Sequence, residues 1–293
     1  MTPAQPAPVG VIGLGIMGSA ISPNLLAAGF TVIGFDVRPE ARAALEAMGG
    51  KAVGSLSALA AEASVLLCFL PDGAALDAVV RDLEATKTPL IIIECSTLAL
   101  DDKERARARL AQAGHTLLDC PLSGTGAQAK NRDLVVLGSG DQGSFETCRP
   151  VFDGFARVVK YLGPFGHGMR MKLVANLLVA VHNCAAAEAL TLARKAGLDP
   201  KLVYDTLKEG AGGSRMWDLR GPLMVERRYI PATMKIDVFQ KDMGLMTAFA
   251  DGLDCPTPLL DIAAALYNEA QADGLGAQDS AAVCAVFEKK AGL

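Results

Sequence analysis

At 293 residues the chain exceeds one ordinary hydrophobic core and implies two domains. Its 51% hydrophobic and 20% charged residues describe a globular chain, and a formal net charge of -4 with scattered Lys and Arg excludes a basic face for nucleic acid or an anionic membrane. Seven cysteines (Cys68, Cys95, Cys120, Cys148, Cys184, Cys255, Cys284) form an odd set without C-x-x-C spacing, which fits reduced thiols in the cytoplasm. Three distant histidines (His115, His167, His182) without H-E-x-x-H supply no metal site.

Met1 to Pro8 carries no basic residue and no long apolar core, so it reads as a Pro/Ala tail rather than a signal peptide. Val9-Gly10-Val11-Ile12 is a short buried strand running into Gly13-Leu14-Gly15-Ile16-Met17-Gly18, with a helical stretch to about Ala28. A lone G-x-G-x-x-G is a weak signal, but the strand before it and the helix after it are what phosphate cradling requires. Gly13 permits the tight turn, Gly15 lets the backbone approach a pyrophosphate, and Gly18 allows close packing, while free helix-start amides favour the anion.

The next strand, Thr31 to Phe35, ends at Asp36, close to the ~20-residue offset at which a carboxylate binds the adenosine ribose. That points to NAD. Arg38, two residues on, keeps NADP open, and Asp36 can alternatively cap a helix over 38–48. Strands at Val65 to Phe69 and Leu90 to Glu94 alternate with helices at Gly73 to Leu83 and Asp101 to Ala113, the pattern of a parallel sheet covered on both faces. Ligands bind such sheets beyond the carboxyl ends of the strands. The turns Leu70-Pro71-Asp72 and Cys95-Ser96-Thr97 lie there, as cofactor contacts or as helix caps.

After a strand at Thr116 to Leu118 comes Asp119-Cys120-Pro121-Leu122-Ser123-Gly124-Thr125-Gly126, whose amides and Ser hydroxyl suit a carboxylate but which as a bare pattern is an ordinary turn. Asp133 to Leu137 and Arg157 to Leu162 add two strands, and no strand is expected beyond Gly166. A run from Met169 to Ala196 reads as a helix buried nearly all round, ~40 Å long at 1.5 Å per residue. Its polar residues would be costly in lipid, so it is not read as a membrane span. Lys172 and Asn176 stand one turn apart on one face. Taken alone, Lys172 reads more readily as a snorkelling lysine than as a functional one. Further helices are expected at Pro200 to Lys208, Ser214 to about Arg227, Asp237 to Asp251, Thr257 to Asp273 and Ser280 to Lys290. The fold expected is therefore α/β, with a doubly wound sheet of the Rossmann type over 1–165 followed by an all-α domain over 166–293.

Four segments, in order along the chain, resemble the β-hydroxyacid dehydrogenases, which include 3-hydroxyisobutyrate dehydrogenase and tartronate semialdehyde reductase and, more distantly, 6-phosphogluconate dehydrogenase. They are Gly13 to Gly18, Asp119 to Gly124, the Gly166-x-Gly168-x-x-x-Lys172-x-x-x-Asn176 run and Lys241-Asp242. The resemblance implies hydride transfer between NAD(P) and a small 3-hydroxy acid, or reduction of the matching semialdehyde. It implies that Lys172 is the acid/base, that Asn176 orients the reacting oxygen, and that Ser123 and Gly124 bind the substrate carboxylate. Thr97 and Lys241 are then expected near cofactor or substrate, with no metal, and with the helical domains pairing into homodimers or homotetramers.

A lysine can act as a base only when its amine is neutral part of the time, and burial among Leu173, Val174 and Leu177 near other cations works in that direction. Departures from the family pattern cluster beside Ser123: Thr125 follows Gly124, and Gln128, Arg132 and Asp133 replace small or hydroxyl residues. Thr125 or Gln128 could bind an extra hydroxyl, which hints at a sugar-acid-like substrate. Ala175 replaces a common asparagine. Trp217 reads as a pocket residue or a core anchor, and Arg215 as an anion contact or a solvated charge. An imine reductase shares the expected architecture, although the lysine position there commonly carries another residue. A dinucleotide-binding sensor or scaffold without turnover would have little need of Lys172, Asn176 and Ser123 together.

Overall fold

The computed structural model describes residues 6–293, so the tail expected at the start falls partly outside the described residues. The chain forms two compact units, one ending at Lys172 and one spanning Leu173–Leu293.

The first unit alternates strand and helix: β1 (Val9–Ile12), α1 (Ile16–Ala27), β2 (Val32–Phe35), α2 (Pro39–Ala47), β3 (Lys51–Ala52), α3 (Leu56–Glu62), β4 (Val65–Cys68), α4 (Gly73–Leu83), β5 (Ile91–Glu94), α5 (Leu100–Gln112) and β6 (Thr116–Asp119). These strands form one parallel sheet of order β3-β2-β1-β4-β5-β6, which reverses direction of growth between β1 and β4. That reversal is where a dinucleotide lies in such sheets. Successive side chains go to opposite faces. Val11, Leu67, Ile93 and Leu118 join Ile21 and Leu25 of α1 on one face. Ile12, Leu66, Ile92 and Leu117 pack with Leu59, Val80 and Leu83 on the other.

The chain then builds β7 (Leu122–Ser123), α6 (Gly126–Lys130), β8 (Val135–Gly138), α7 (Gln142–Thr147), α8 (Arg149–Phe155) and β9 (Val158–Tyr161). The two late strands expected from the sequence thus lie in a separate small sheet of order β7-β8-β9, in which β7 runs antiparallel to β8. Phe145 seals it, with ring centroids 5.0 Å from Phe152 and 5.2 Å from Tyr161.

The helix α9 (His167–Lys195) opens in a tight place. A Cβ on Gly168 would lie 2.3 Å from the Leu137 carbonyl oxygen, so only glycine lets the helix start here. Its first amides are taken by side chains from far along the chain. Gly168 N–H donates to Ser139 Oγ at 2.9 Å, and Met169 N–H to Asp119 Oδ2 at 2.8 Å. This distant carboxylate does the work of an N-cap.

One expectation is corrected in α9. It is not buried all round, because Met171, Val174, Leu178 and Leu192 are exposed, Val174 at 53% and Leu192 at 69%. Met171, Leu178 and Leu192 fall on a seven-residue repeat, so they share one stripe. The misreading has a physical cause: apolar composition along a helix does not say which of its faces its own chain covers. Val174, expected among the apolar surroundings of Lys172, is thus one of the exposed residues. Length and composition alone would let α9 cross a membrane, as for no other helix among the described residues, and 44% of its most apolar window is buried inside the chain.

The second unit continues with α10 (Pro200–Lys208), α11 (Arg215–Glu226), α12 (Ile236–Asp251), α13 (Pro258–Ala272), a 3-10 turn at Ser280–Ala282 and α14 (Val283–Ala291). Asp199 caps α10 through Leu202 N–H at 2.8 Å, and Ser214 caps α11 through Trp217 N–H at 3.0 Å. The core contains a buried polar knot. Arg220 Nε lies 3.3 Å from Asp279 Oδ1 and 2.7 Å from Ser280 Oγ, and Asp279 Oδ2 accepts from the amide and hydroxyl of Thr233 at 2.7 Å each.

Candidate active site

The glycine turn after β1 fits a dinucleotide. Gly13 has φ +86°, and a Cβ there would meet the Phe69 carbonyl oxygen at 2.1 Å. A Cβ on Gly18 would lie 2.0 Å from the Gly13 carbonyl oxygen, so the first turn of α1 closes directly onto the loop. Around Gly15, by contrast, nothing stands within 4 Å of the place a Cβ would occupy, which leaves the backbone open to a ligand. Gly15 is also the N-cap of α1 and brings no side chain to its first amides, while Leu14 is buried and Ile16 exposed. Those amides and the helix dipole suit a pyrophosphate.

Asp36 sits at the end of β2 but does not cap α2, whose N-cap is Arg38 without a side-chain hydrogen bond. Its Oδ2 accepts the Leu14 amide at 2.8 Å, and its Oδ1 accepts the Arg38 amide at 2.9 Å and Arg38 Nε at 3.1 Å. Burial pushes this carboxyl up, but the hydrogen bonds from Arg38 and Leu14 outweigh it and hold the group below the usual carboxylate range. An ionised acceptor is therefore fixed beside the glycine turn.

The turns after β4 and β5 are joined to each other. Ser96 Oγ accepts the Leu70 amide at 2.7 Å, and Ser96 N–H donates to Glu94 Oε1 at 2.9 Å. Asp72 caps α4 through the Ala75 amide at 2.8 Å. Leu70 and Thr97 are partly exposed and Pro71 is exposed, so each is accessible at the strand ends. Ser96 carries the tie, and the sequence distinguishes it only as a member of its turn.

The segment after β6 meets the glycine turn. A Cβ on Gly126 would reach Ile16 Cγ2 at 2.5 Å, and Asn24 Nδ2 of α1 donates to the Ala129 carbonyl of α6 at 2.7 Å. Ser123, Gly124 and Thr125 are partly exposed, with Gly124 at φ +133°. Gln128 is used within the loop. Its Oε1 accepts the Thr125 amide at 3.0 Å, and its Nε2 donates to Asp133 Oδ2 at 3.2 Å, while Asp133 Oδ1 pairs with Arg157 at 2.7 Å. Of the two residues considered for an extra hydroxyl, Gln128 holds the loop and the Thr125 hydroxyl donates to its Oε1 at 3.4 Å.

Lys172 is buried to 7% exposure and Asn176, one turn on, to 4%. In the second unit Asn176 Nδ2 donates to Asp242 Oδ2 at 2.9 Å, and Asp242 is itself buried. This pairing fixes the Asn176 amide, a role for Asp242 that its place beside Lys241 does not reveal. Lys241 and Arg215 are exposed. Trp217 is a core anchor: it is 2% exposed, stacks on Tyr204 at 5.9 Å and donates from Nε1 to the Tyr204 carbonyl.

The sequence matches two family profiles end to end. Residues 8–163 match the NAD binding domain of 6-phosphogluconate dehydrogenase, and residues 166–287 match the NAD-binding region of NADP-dependent 3-hydroxyisobutyrate dehydrogenase. L-threonate dehydrogenase of Haemophilus influenzae is 35% identical over 285 residues, covering 95% of this chain and 94% of the relative. The chain belongs to the β-hydroxyacid dehydrogenase family.

Solved structures agree with membership among the β-hydroxyacid dehydrogenases. That of 3-hydroxyisobutyrate dehydrogenase from Salmonella typhimurium matches with TM-score 0.86 at 31% identity, over 96% of this chain and 100% of that one. The Mycobacterium tuberculosis 3-hydroxyisobutyrate dehydrogenase, solved with L-serine, matches at TM-score 0.87 and 28% identity over 97% and 99%. This β-hydroxyacid dehydrogenase is an NAD(P)-dependent oxidoreductase acting on the CH–OH group of a small hydroxy acid. Cys68, Cys95 and Cys120 lie at its strand ends, where burial above all pushes each thiol far up. They are therefore not nucleophiles at neutral pH.

Proposed function

We propose that this dehydrogenase oxidises a short polyhydroxylated carboxylic acid of the threonate kind, with Lys172 as the general base and Asn176 orienting the reacting oxygen. The observation that carries this reading is the burial of a lysine and an asparagine one turn apart on a helix whose first amides are pinned by Asp119 and Ser139. An ammonium kept from water is costly, and groups so held concentrate at functional sites. The bound dinucleotide supplies the acceptor or donor for hydride. Lys172 takes the hydroxyl proton during oxidation and returns it during reduction, which general acid/base catalysis makes worth about 10²- to 10⁴-fold. Asn176, its amide fixed by Asp242, presents its remaining polar capacity to the same oxygen.

Ser123 and Gly124 hold the substrate carboxylate, and Thr125 meets a further hydroxyl. Support for the sugar acid comes from the 35% identity to a protein named L-threonate dehydrogenase, together with a hydroxyl residue after Gly124. Gly13 to Gly18 cradle the pyrophosphate, Asp36 takes the ribose of NAD, and Leu70, Pro71, Thr97 and Lys241 line cofactor or substrate. Residues 1–165 act as the dinucleotide domain and 166–293 as the helical substrate and assembly domain. The exposed apolar stripe of α9 is covered by a second copy in a homodimer or homotetramer, in the cytoplasm and without membrane or nucleic-acid partners.

Purified protein with L-threonate and NAD should generate NADH absorbance, with weaker rates on 3-hydroxyisobutyrate. Silence across hydroxy acids with both cofactors would overturn the substrate reading. Lys172→Ala should lose about 10³-fold in kcat while NADH binding changes little. A near-normal rate in that variant would remove Lys172 from its role.

A further inference from the structure

A charged cluster lies entirely out of water beneath the start of α9. Lys103 of α5 is 0% exposed, and its Nζ lies 2.6 Å from Glu94 Oε2 and 2.7 Å from Asp119 Oδ1. Glu94 and Asp119 end the adjacent strands β5 and β6 and face each other in register. Two parallel carboxylates would repel, and the one ammonium between them stabilises both. A single negative charge is left over, and it faces the positive end of the α9 dipole.

The outer atoms of the two carboxylates reach in opposite directions. Glu94 Oε1 holds the Ser96 amide, and Ser96 Oγ holds the Leu70 amide, so one arm fixes the two turns expected at the cofactor. Asp119 Oδ2 holds the Met169 amide. Ser139 Oγ lies 3.1 Å from the Asp119 carbonyl and 3.2 Å from its Oδ2, and it accepts the Gly168 amide. The second arm therefore fixes the first turn of α9, and Lys172 stands one turn further on.

We propose that Glu94, Lys103, Asp119 and Ser139 form a positioning network that sets Lys172 against the cofactor turns. The proposal rests on Lys172 being the acid/base. Stability alone does not account for such a cluster, because a buried ion pair is often no more stabilising than apolar side chains of similar volume. Charged hydrogen bonds do supply direction, and a displacement of about 1 Å in a reacting group can cost about 10²-fold in rate.

The test is a double-mutant cycle on kcat between Asp119→Asn and Lys172→Ala, run with and without added ethylamine as an untethered base. Asp119→Asn alone should lower kcat about 100-fold and leave the NADH dissociation constant within about threefold. In the Lys172→Ala background the same change should cost less than about threefold, with or without the free amine, because no tethered lysine remains to misplace. An equal loss in both backgrounds, or a normal kcat in Asp119→Asn, would overturn the proposal. If Asp119→Asn does not fold, Ser139→Ala keeps all three charges and cuts the Gly168 link, and its kcat loss should likewise vanish without Lys172. A normal rate in Lys172→Ala defeats the acid/base reading and this proposal together. An inactive Lys172→Ala beside a normal Asp119→Asn defeats only the positioning.

Discussion

The amide of Leu14 donates to the Asp36 carboxylate at 2.8 Å across 22 residues of sequence, so the acid expected on the ribose also closes the glycine turn. Arg38 rests on the same carboxylate with 53% of its side chain exposed. Removing Asp36 frees a guanidinium for a 2′-phosphate and leaves a backbone donor without its acceptor. Asp36→Ala should shift the NADP/NAD ratio of kcat/KM toward NADP by at least about tenfold and cost about 1–3 kcal/mol of stability. Arg38→Leu should move the ratio the other way. Steady-state kinetics with both cofactors and thermal melts read each effect.

Gly15 and Gly18 separate affinity from folding. Space is open around a Cβ at Gly15, whereas at Gly18 it would strike the Gly13 backbone. Gly15→Ala should melt near the parent temperature yet bind NADH at least about tenfold more weakly, since the methyl group would stand where we propose the backbone meets pyrophosphate. Gly18→Ala should lose both stability and binding. Calorimetric titration with NADH beside melting curves distinguishes them.

Asp279 gives an acid-dependent contribution. Burial raises its carboxyl, but Arg220 and the amides of Ala281 and Thr233 prevail and hold it below the usual range. A depressed pKa contributes stability that is present above the unfolded value and is lost as pH falls through the folded one. Asp279→Asn should destabilise by about 3 kcal/mol near neutrality, because it leaves Arg220 buried without its counter-charge. The gap between parent and variant should close as the pH drops below the ordinary aspartate range. Urea unfolding across acidic pH reads this.

Trp217, the only tryptophan, reports on the second unit. At 2% exposure its emission should be blue-shifted in the native state and move red on unfolding. Trp217→Ala should cost about 3–5 kcal/mol. Trp217→Phe should keep near-normal kcat, whereas a pocket role would raise KM for the hydroxy acid.

Local signals carry much of this structure. The strand before Gly13, the glycines themselves and the spacing of Lys172 and Asn176 are written in short windows, and the structure places each on the element expected. Short elements leave no such mark: β3 has two residues, α3 has seven, and the antiparallel β7 has two, too few for a periodic pattern to build. The ties that fix the candidate site join partners far apart in sequence. Met169 finds Asp119 across 50 residues and Asn176 finds Asp242 across 66, and nothing local at either end names the other. Glu94 does leave a trace, as a carboxylate ending an otherwise apolar strand, and a buried strand end with a charge on it calls for a partner.

On α9, exposed Met171 and buried Lys172 are neighbours in the chain. Whatever covers that apolar stripe therefore bears on the turn of helix that carries Lys172, the acid/base we propose. With the proposed homo-oligomer, specific activity should rise with protein concentration and level off once assembly is complete, so an assay at high dilution would measure assembly along with chemistry. Met171→Lys should push that plateau to higher concentration.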